Sequence, residues 1–244
     1  MRLAVVGVGQ MGKAVQRRAS AAGHEIGLTA SGRNARVQKE LSPERLAGID
    51  VAIEFTGAES VLGNVECVTA AGVPIVVGTT GWDTSMEEAR AIVEARGTGL
   101  VYGANFSIGA QVLFTLAREA ARLFERFGGY DPYVLEHHHR GKMDAPSGTA
   151  LRVARTIADN MARKIHVHAG NPENTIGSDA IHIASLRAGS AFGHHRVGFD
   201  SATDQLEIVH TARSRDGFAC GALHAAEWVI GRSGTYEFAE ILDL

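Results

Sequence analysis

Cysteine is scarce in this chain of 244 residues, with Cys67 and Cys220 the only two. They lie far apart and match no metal or redox spacing. That excludes a disulfide framework and leads us to expect two reduced thiols in a cytoplasmic protein. Proline is also sparse, at 5 residues, and aromatic residues make up 6%. No apolar run approaches the ~18 residues that a membrane-spanning helix needs. The opening stretch Met1-Arg2-Leu3-Ala4-Val5-Val6-Gly7 carries a charge but only a stub of hydrophobic sequence, too short for a signal peptide. There is no basic block either. Lys+Arg number 24 against 27 Asp+Glu, for a net charge of −3, so nothing in the electrostatics points to nucleic acid or to a membrane surface.

What is present suits a globular protein of one large or two modest domains. Hydrophobic residues make up 45%, charged residues 21%, and the mean hydropathy is −0.01. Those values argue against disordered, collagen-like or coiled-coil architectures. Glycine stands out, with 29 residues, about 12% against an average of roughly 7%. Several glycines fall at the ends of candidate strands, where a backbone can approach a ligand closely.

The first half alternates short apolar runs with helical periodicity. Residues 3–6, 24–30, 50–56, 74–79 and 99–103 read as strands. Residues 59–71 and 85–95 read as helices, as does the stretch carrying Met11, Val15, Ala19 and Ala22. Buried strands separated by crossover helices predict a parallel, doubly wound sheet. The second half changes character. Residues 110–127 predict a long amphipathic helix with Leu113, Leu116, Ala120, Leu123 and Phe127 on one stripe. A strand at 133–138 and a helix at 151–161 follow. Three strand-like segments come next, at 181–187, 196–199 and 205–212, with little helix between them. They predict a mostly antiparallel sheet in a separate α+β domain, and residues 218–230 are again helical. The division expected is therefore 1–107 with 218–244 for the first domain and 108–217 for the second. The segment 168–179 is a long polar loop.

Gly7-Val8-Gly9-Gln10-Met11-Gly12 fits G-x-G-x-x-G directly after a strand and before a helix. The first glycine permits the turn, the second admits a pyrophosphate, and the third lets helix and strand pack, so the pattern predicts a dinucleotide site of the Rossmann type. NAD sites usually place an acidic residue at the end of the second strand. The stretch from Thr29 to Arg36 has none, and Ser31 and Arg33 suit a 2′-phosphate instead. We therefore expect NADPH to be preferred, with NADH also used. Gly78-Thr79-Thr80-Gly81 and Gly103-Ala104-Asn105-Phe106-Ser107 close the fourth and fifth strands. Ligands in open α/β sheets sit beyond such carboxyl ends, so Gly78, Thr79, Thr80, Gly103, Ala104, Asn105 and Phe106 are candidate cofactor contacts, Phe106 by packing on a ring.

The richest segment runs from Glu136 through His137-His138-His139-Arg140-Gly141-Lys142-Met143-Asp144-Ala145 to Pro146-Ser147-Gly148-Thr149-Ala150. Histidine can deliver a proton near neutral pH, and lysine and arginine offer fixed charge to an anion. The helix opening at Ser147, Gly148 and Thr149 offers amides and hydroxyls to a carboxylate. A zinc site is the rival reading. Adjacent histidines on a strand point to opposite faces, however, and no further cluster completes a ligand set.

Taken together, these motifs resemble the 4-hydroxy-tetrahydrodipicolinate (dihydrodipicolinate) reductases of bacterial lysine biosynthesis, over nearly the whole chain. The resemblance rests on the glycine turn, Glu54-Phe55-Thr56, the GTTG loop, Ala104–Ser107 and above all HHRGKMDAPSGTA. His182–Gly189 and Arg215–Ala219 look like later family motifs. It implies a pyridine-nucleotide reductase acting on a small dicarboxylate, with His138 as proton donor and Lys142 as second catalytic residue. It further implies that His139, Ser147, Gly148 and Thr149 contact substrate, that the cofactor binds Gly7–Gly12, Gly78–Thr80 and Gly103–Phe106, and that the protein is a homotetramer built through the second domain's sheet. Lys142 and the PSGTA string set the register of the histidine triplet. Two alternatives remain at this point: another NAD(P)-dependent amino acid dehydrogenase, such as one acting on aspartate, or a catalytically silent dinucleotide sensor.

Overall fold

The computed structural model describes residues 1–31 and 35–244. They form two compact units, Met1–Ile108 with Arg215–Leu244, and Gly109–Ser214. The chain begins with β1 (Arg2–Val6), α1 (Gln10–Ala21), β2 (Glu25–Ala30), α2 (Ala35–Gln38) and α3 (Pro43–Leu46). It continues through β3 (Val51–Glu54), α4 (Ala58–Ala70), β4 (Ile75–Val77), α5 (Met86–Arg96) and β5 (Gly99–Tyr102). The second unit holds α6 (Ile108–Glu125), β6 (Asp131–His138), α7 (Gly148–Ala158), β7 (His166–Ala169), β8 (Ala180–Arg187), β9 (Gly193–Asp200) and β10 (Gln205–Ala212). The chain then returns to the first unit with α8 (Asp216–Val229) and β11 (Gly234–Glu237).

The first sheet has six strands in the order β11-β5-β4-β3-β1-β2. Every pairing in it is parallel. β3 and β4 are buried along their whole length, and β1 from Leu3 to Val6, because helices cover both faces. From β1 the chain steps to β2 on one side and then to β3 on the other. This reversal opens a crevice beyond the carboxyl ends of β1 and β3, where ligands bind in such sheets. Two glycines shape that spot. Gly7 has φ +97°, and a Cβ on it would lie 2.1 Å from the Phe55 carbonyl oxygen; a Cβ on Gly12 would lie 1.9 Å from the Gly7 carbonyl oxygen. No side chain larger than hydrogen fits at either position.

The second sheet has the order β10-β9-β6-β8-β7. It is antiparallel from β10 through β9 to β6, and parallel from β6 through β8 to β7. Its core lies under α6 and α7, with Val153, Ala154 and Ile157 of α7 packed with Val134, Ile183 and Phe199. The stripe expected on α6 is rotated. Leu113 and Ala120 are buried, but Leu116 and Leu123 are exposed, and Ala110, Phe114, Ala117 and Ala121 take their place. The alanines let the helix lie close to the sheet, which a leucine seam would prevent. Short elements escaped the sequence reading: α2, α3, β7 and β11 have at most four residues each.

Candidate active site

The alternation of a strand puts Glu136 and His138, two residues apart on β6, on its covered face. Glu136 is fully buried and divides its two oxygens. Oε2 is hydrogen-bonded to His138 Nδ1, while Oε1 accepts from Arg187 Nη2 at 2.6 Å and from the Ser147 backbone amide at 3.2 Å. His137, on the other face, bonds instead to the Ala188 carbonyl at 3.0 Å. His195, from β9, brings its ring within 5.1 Å of His138 and its Nε2 to 3.2 Å from Ser147 Oγ. Ser147 is also the N-cap of α7, its Oγ accepting from the Ala150 amide at 3.2 Å. One buried network thus joins the ends of three strands to the start of a helix.

Burial works to raise the Glu136 carboxyl, but hydrogen bonds from Arg187, Ser185 and His138 outweigh it and hold the group below the usual glutamate range. Burial lowers His138, and the charges of Lys142 and Arg187 add to that, against the opposing pull of Glu136. His195 is pushed down to about 3, first by burial and then by His138. The ligand atoms of Glu136, His138 and His195 lie within 4.8 Å of one another, close enough for a cation. Arg187 already supplies the positive charge that Glu136 requires, and Glu136 Oε2 is committed to His138.

The turn after β6 carries the other candidates. His139 follows the strand, its amide bonded to the Ala191 carbonyl at 2.7 Å and its carbonyl accepting from the Lys142 amide at 3.1 Å. Lys142 Nζ lies 2.7 Å from Asp144 Oδ1. The Asp144 carboxyl is held below its usual range, first by Lys142, with the Gly148 amide among the further contributors. A Cβ on Gly148 would meet nothing within 4 Å, so the first turn of α7 presents open backbone. Its first turn has no acidic residue. Arg187 closes this turn from β8 by donating to the Asp144 carbonyl at 2.6 Å. Sequence reading found His138, His139, Lys142, Ser147, Gly148 and Thr149, but gave no role to Glu136, His195 or Asp144. The period-two spacing of Glu136 and His138 is a signal that was there to be used; the contribution of β9 has no local signature.

In the first unit, Gly9 caps α1 without a side chain and a Cβ on it would meet nothing within 4 Å; no acidic residue stands in the first helical turn. Gly7, Val8, Gly9, Gln10, Met11 and Gly12 therefore form a turn that fits the pyrophosphate of a pyridine dinucleotide. At the end of β3, buried Glu54 accepts from the Thr56 amide at 2.9 Å and from the Thr56 hydroxyl. Thr79 Oγ1 accepts from the same Thr56 amide at 2.8 Å. Burial raises the Glu54 carboxyl, against those hydrogen bonds and one from Asn64. This ties Thr79, beside Gly78 and exposed Thr80, to the β3 turn. Ala104 is exposed and Asn105 half-buried in the loop after Gly103. Phe106 corrects an expectation. It is only 2% exposed and sits between Phe55 and Phe238, with centroids 6.3 and 4.6 Å away. Its ring belongs to the core, because a ring that size gains more from full burial than a loop tip can offer. The structure also adds an acid near the end of β2, where the sequence shows none: Glu40 Oε2 accepts from the Ser31 amide at 3.2 Å and lies 3.9 Å from Arg45. Arg33 lies outside the described residues.

Two family descriptions match almost end to end. "Dihydrodipicolinate reductase, N-terminus" covers residues 1–106 and "Dihydrodipicolinate reductase, C-terminus" covers residues 109–242. The chain belongs to the dihydrodipicolinate reductase family. A 4-hydroxy-tetrahydrodipicolinate reductase of Cupriavidus necator is 39% identical over 210 residues, spanning 82% of this chain and 76% of that one. One of Neisseria gonorrhoeae is 40% identical over 204 residues, spanning 82% and 74%. The dipicolinate-bound dihydrodipicolinate reductase from Paenisporosarcina sp. TG-14 superposes with a TM-score of 0.80 at 23% identity, over 99% of both chains, and so shares the fold. The glycine turn falls within the N-terminal dihydrodipicolinate reductase match and the Glu136–His138 network within the C-terminal one.

Proposed function

We propose that this chain reduces 4-hydroxy-tetrahydrodipicolinate, by way of dihydrodipicolinate, to tetrahydrodipicolinate in lysine and diaminopimelate biosynthesis, with NADPH preferred over NADH. The observation that carries the reading is the gathering of a buried, carboxylate-held imidazole with Lys142 and an open helix start. A family member needs a proton donor and a cradle for two carboxylates, and this cluster has the chemistry of both. The reduced nicotinamide, when bound, supplies the hydride. His138 gives the proton that completes the reduction. Lys142 neutralises charge on the dianion, with His139 beside it. Gly148 and Thr149 offer the first-turn amides of α7 to a carboxylate, and Ser147 keeps that turn in place. Fixed placement of these groups is the protein's chief contribution to rate.

Support for NADPH comes from Ser31 and Arg33 in a stretch without its own acid, and from Glu40 being engaged by the Ser31 amide. The homotetramer expected of the family is supported by the exposure of Leu135, Leu186 and Val209 on the open face of the second sheet, apolar side chains that another sheet can cover. Among the described residues no helix is long and apolar enough to cross a membrane.

A coupled assay tests the reading. The unstable substrate is generated from pyruvate and aspartate semialdehyde, and oxidation of NADPH and of NADH is followed separately. Substrate-dependent oxidation is expected with both, faster with NADPH. Dinucleotide binding with no turnover would instead leave a silent sensor, and turnover with an amino acid alone would mark a different dehydrogenase.

A further inference from the structure

Glu136 is the most completely engaged carboxylate in the second unit, yet the reaction outlined above gives it no part. Its position limits what the neighbouring imidazole can do. A carboxylate only accepts hydrogen bonds, so the His138 nitrogen facing it must carry the hydrogen. Glu136 is held in that ionised form by the Arg187 guanidinium at 2.6 Å and the Ser147 amide at 3.2 Å on its other oxygen. The proton on Nδ1 is then fixed in place. In the protonated ring the mobile proton sits on Nε2, and in the neutral ring Nε2 is bare.

The surroundings of Nε2 supply a second, independent observation. A Cβ built on Gly193, the first residue of β9, would fall 3.0 Å from His138 Nε2 and 3.5 Å from its Cδ2. Gly193 does not have a positive φ, so its backbone conformation is open to any residue. The space beside Nε2 is what glycine preserves there. Nε2 carries no hydrogen bond among the described residues, whereas Nδ1 is taken.

We propose that Glu136 is a positioning residue that locks the His138 ring with its fixed proton on Nδ1, so that Nε2 is the nitrogen that hands a proton to the substrate, and that Gly193 keeps the approach to Nε2 clear. The inference rests on His138 being the proton donor. In the step, the Nε2–H bond breaks and its electron pair stays on nitrogen. The proton goes to the carbon of the substrate's conjugated double bond that does not receive hydride. The ring ends neutral, its Nδ1–H still donated to Glu136. Hydride and proton together account for the two electrons and two hydrogens added to the substrate, and NAD(P)H is the reductant.

Three measurements on the full-length protein test this. Long-range proton–nitrogen NMR of the neutral His138 ring is expected to show hydrogen on Nδ1, and hydrogen on Nε2 would overturn the proposal in the wild type alone, without any variant. Glu136→Gln keeps the shape of the side chain but can donate to Nδ1 and so favour the opposite tautomer. It is expected to lower kcat about 100-fold or more, leave the cofactor KM unchanged, and move the pKa governing kcat/KM down, since Glu136 supports the protonated ring against burial and the charges of Lys142 and Arg187. A Glu136→Gln enzyme with a wild-type kcat and pH profile would overturn the role. Gly193→Ala is expected to lower kcat about 10-fold or more at unchanged thermal stability, and an unaffected kcat would remove the clear approach from the proposal. A fully active His138→Gln enzyme would point elsewhere, to an error in the donor assignment, while the NMR result would still report whether Glu136 fixes the ring.

Discussion

Lys142 Nζ lies 2.7 Å from Asp144 Oδ1, and the same carboxyl is held below its usual range first by Lys142, with the Gly148 amide at the start of α7 among the further contributors. The chain thus places one of its own carboxylates on Lys142 and within the influence of the helix start, the two groups expected to hold a carboxylate of the substrate. Asp144 is more than half exposed, so the pair is worth at most about 1 kcal/mol. Removing its charge should free Lys142 and the helix start for the dianion. Asp144→Asn is expected to lower the substrate KM by up to about fivefold, at little cost in stability. Steady-state kinetics at a fixed, saturating cofactor concentration checks this, and a raised KM would mean that Asp144 holds Lys142 in its working position instead.

The state of His138 sets the pH dependence. Burial, assisted by Lys142 and Arg187, lowers its pKa below the ordinary histidine range in the free protein. A donor must be protonated, so kcat/KM is expected to fall as pH rises through that lowered pKa. A bound dianion favours the charged ring and raises the pKa in the complex. The profile of kcat should therefore break at a higher pH than that of kcat/KM. Measuring both from pH 5 to 9 tests the order of the two breaks. His138→Gln should remove the break and lower kcat by roughly 10²–10⁴-fold, with cofactor affinity retained.

Ser31 offers a handle on cofactor choice. It stands at the end of β2, its amide on Glu40, in a stretch with no acid of its own. An aspartate there would meet the ribose hydroxyls of NADH and repel a 2′-phosphate. Ser31→Asp is expected to shift the ratio of kcat/KM values toward NADH by at least about tenfold. An unchanged ratio would show that the 2′ position is read from another part of the site.

Both sheets could be read from the sequence because their cause is local. Apolar strands such as Leu3–Val6 and helix-spaced alanines and leucines declare themselves within a dozen residues. Gly7 and Gly12 were legible because the turn needs a positive φ at one and close packing at the other. Errors arose where a neighbour distant in sequence decides. The buried face of α6 depends on the sheet it meets, so Leu116 and Leu123 lie outside the stripe assigned to them. Phe106 reads as a loop aromatic until Phe55 and Phe238 enclose it. Arg187 has no partner that the sequence alone can name until β8 sets it against Glu136. His138 and Lys142 stand out in one short string, whereas the groups that hold them come from β8 and β9.

His195 makes the second unit sensitive to acid. Its ring is neutral in the folded protein, with a pKa of about 3 against an ordinary value of 6.5, chiefly because it is buried. An unfolded chain binds a proton there at mildly acidic pH and the folded one does not. The stabilisation is therefore complete above pH 6.5 and is lost progressively as pH falls toward 3. Lowering the pH from 6.5 to 5 should remove about 2 kcal/mol through this residue. His138 and His210, also lowered by burial, act in the same direction. Their contributions are common to wild type and to His195→Gln, whose amide can still reach Ser147 Oγ. Urea unfolding followed by circular dichroism at both pH values isolates the term. The wild type is expected to lose more stability than the variant over that interval, by the amount stated. Parallel losses would mean that His195 is solvated or protonated in the folded state, and that the network around Ser147 is more open than its hydrogen bonds indicate.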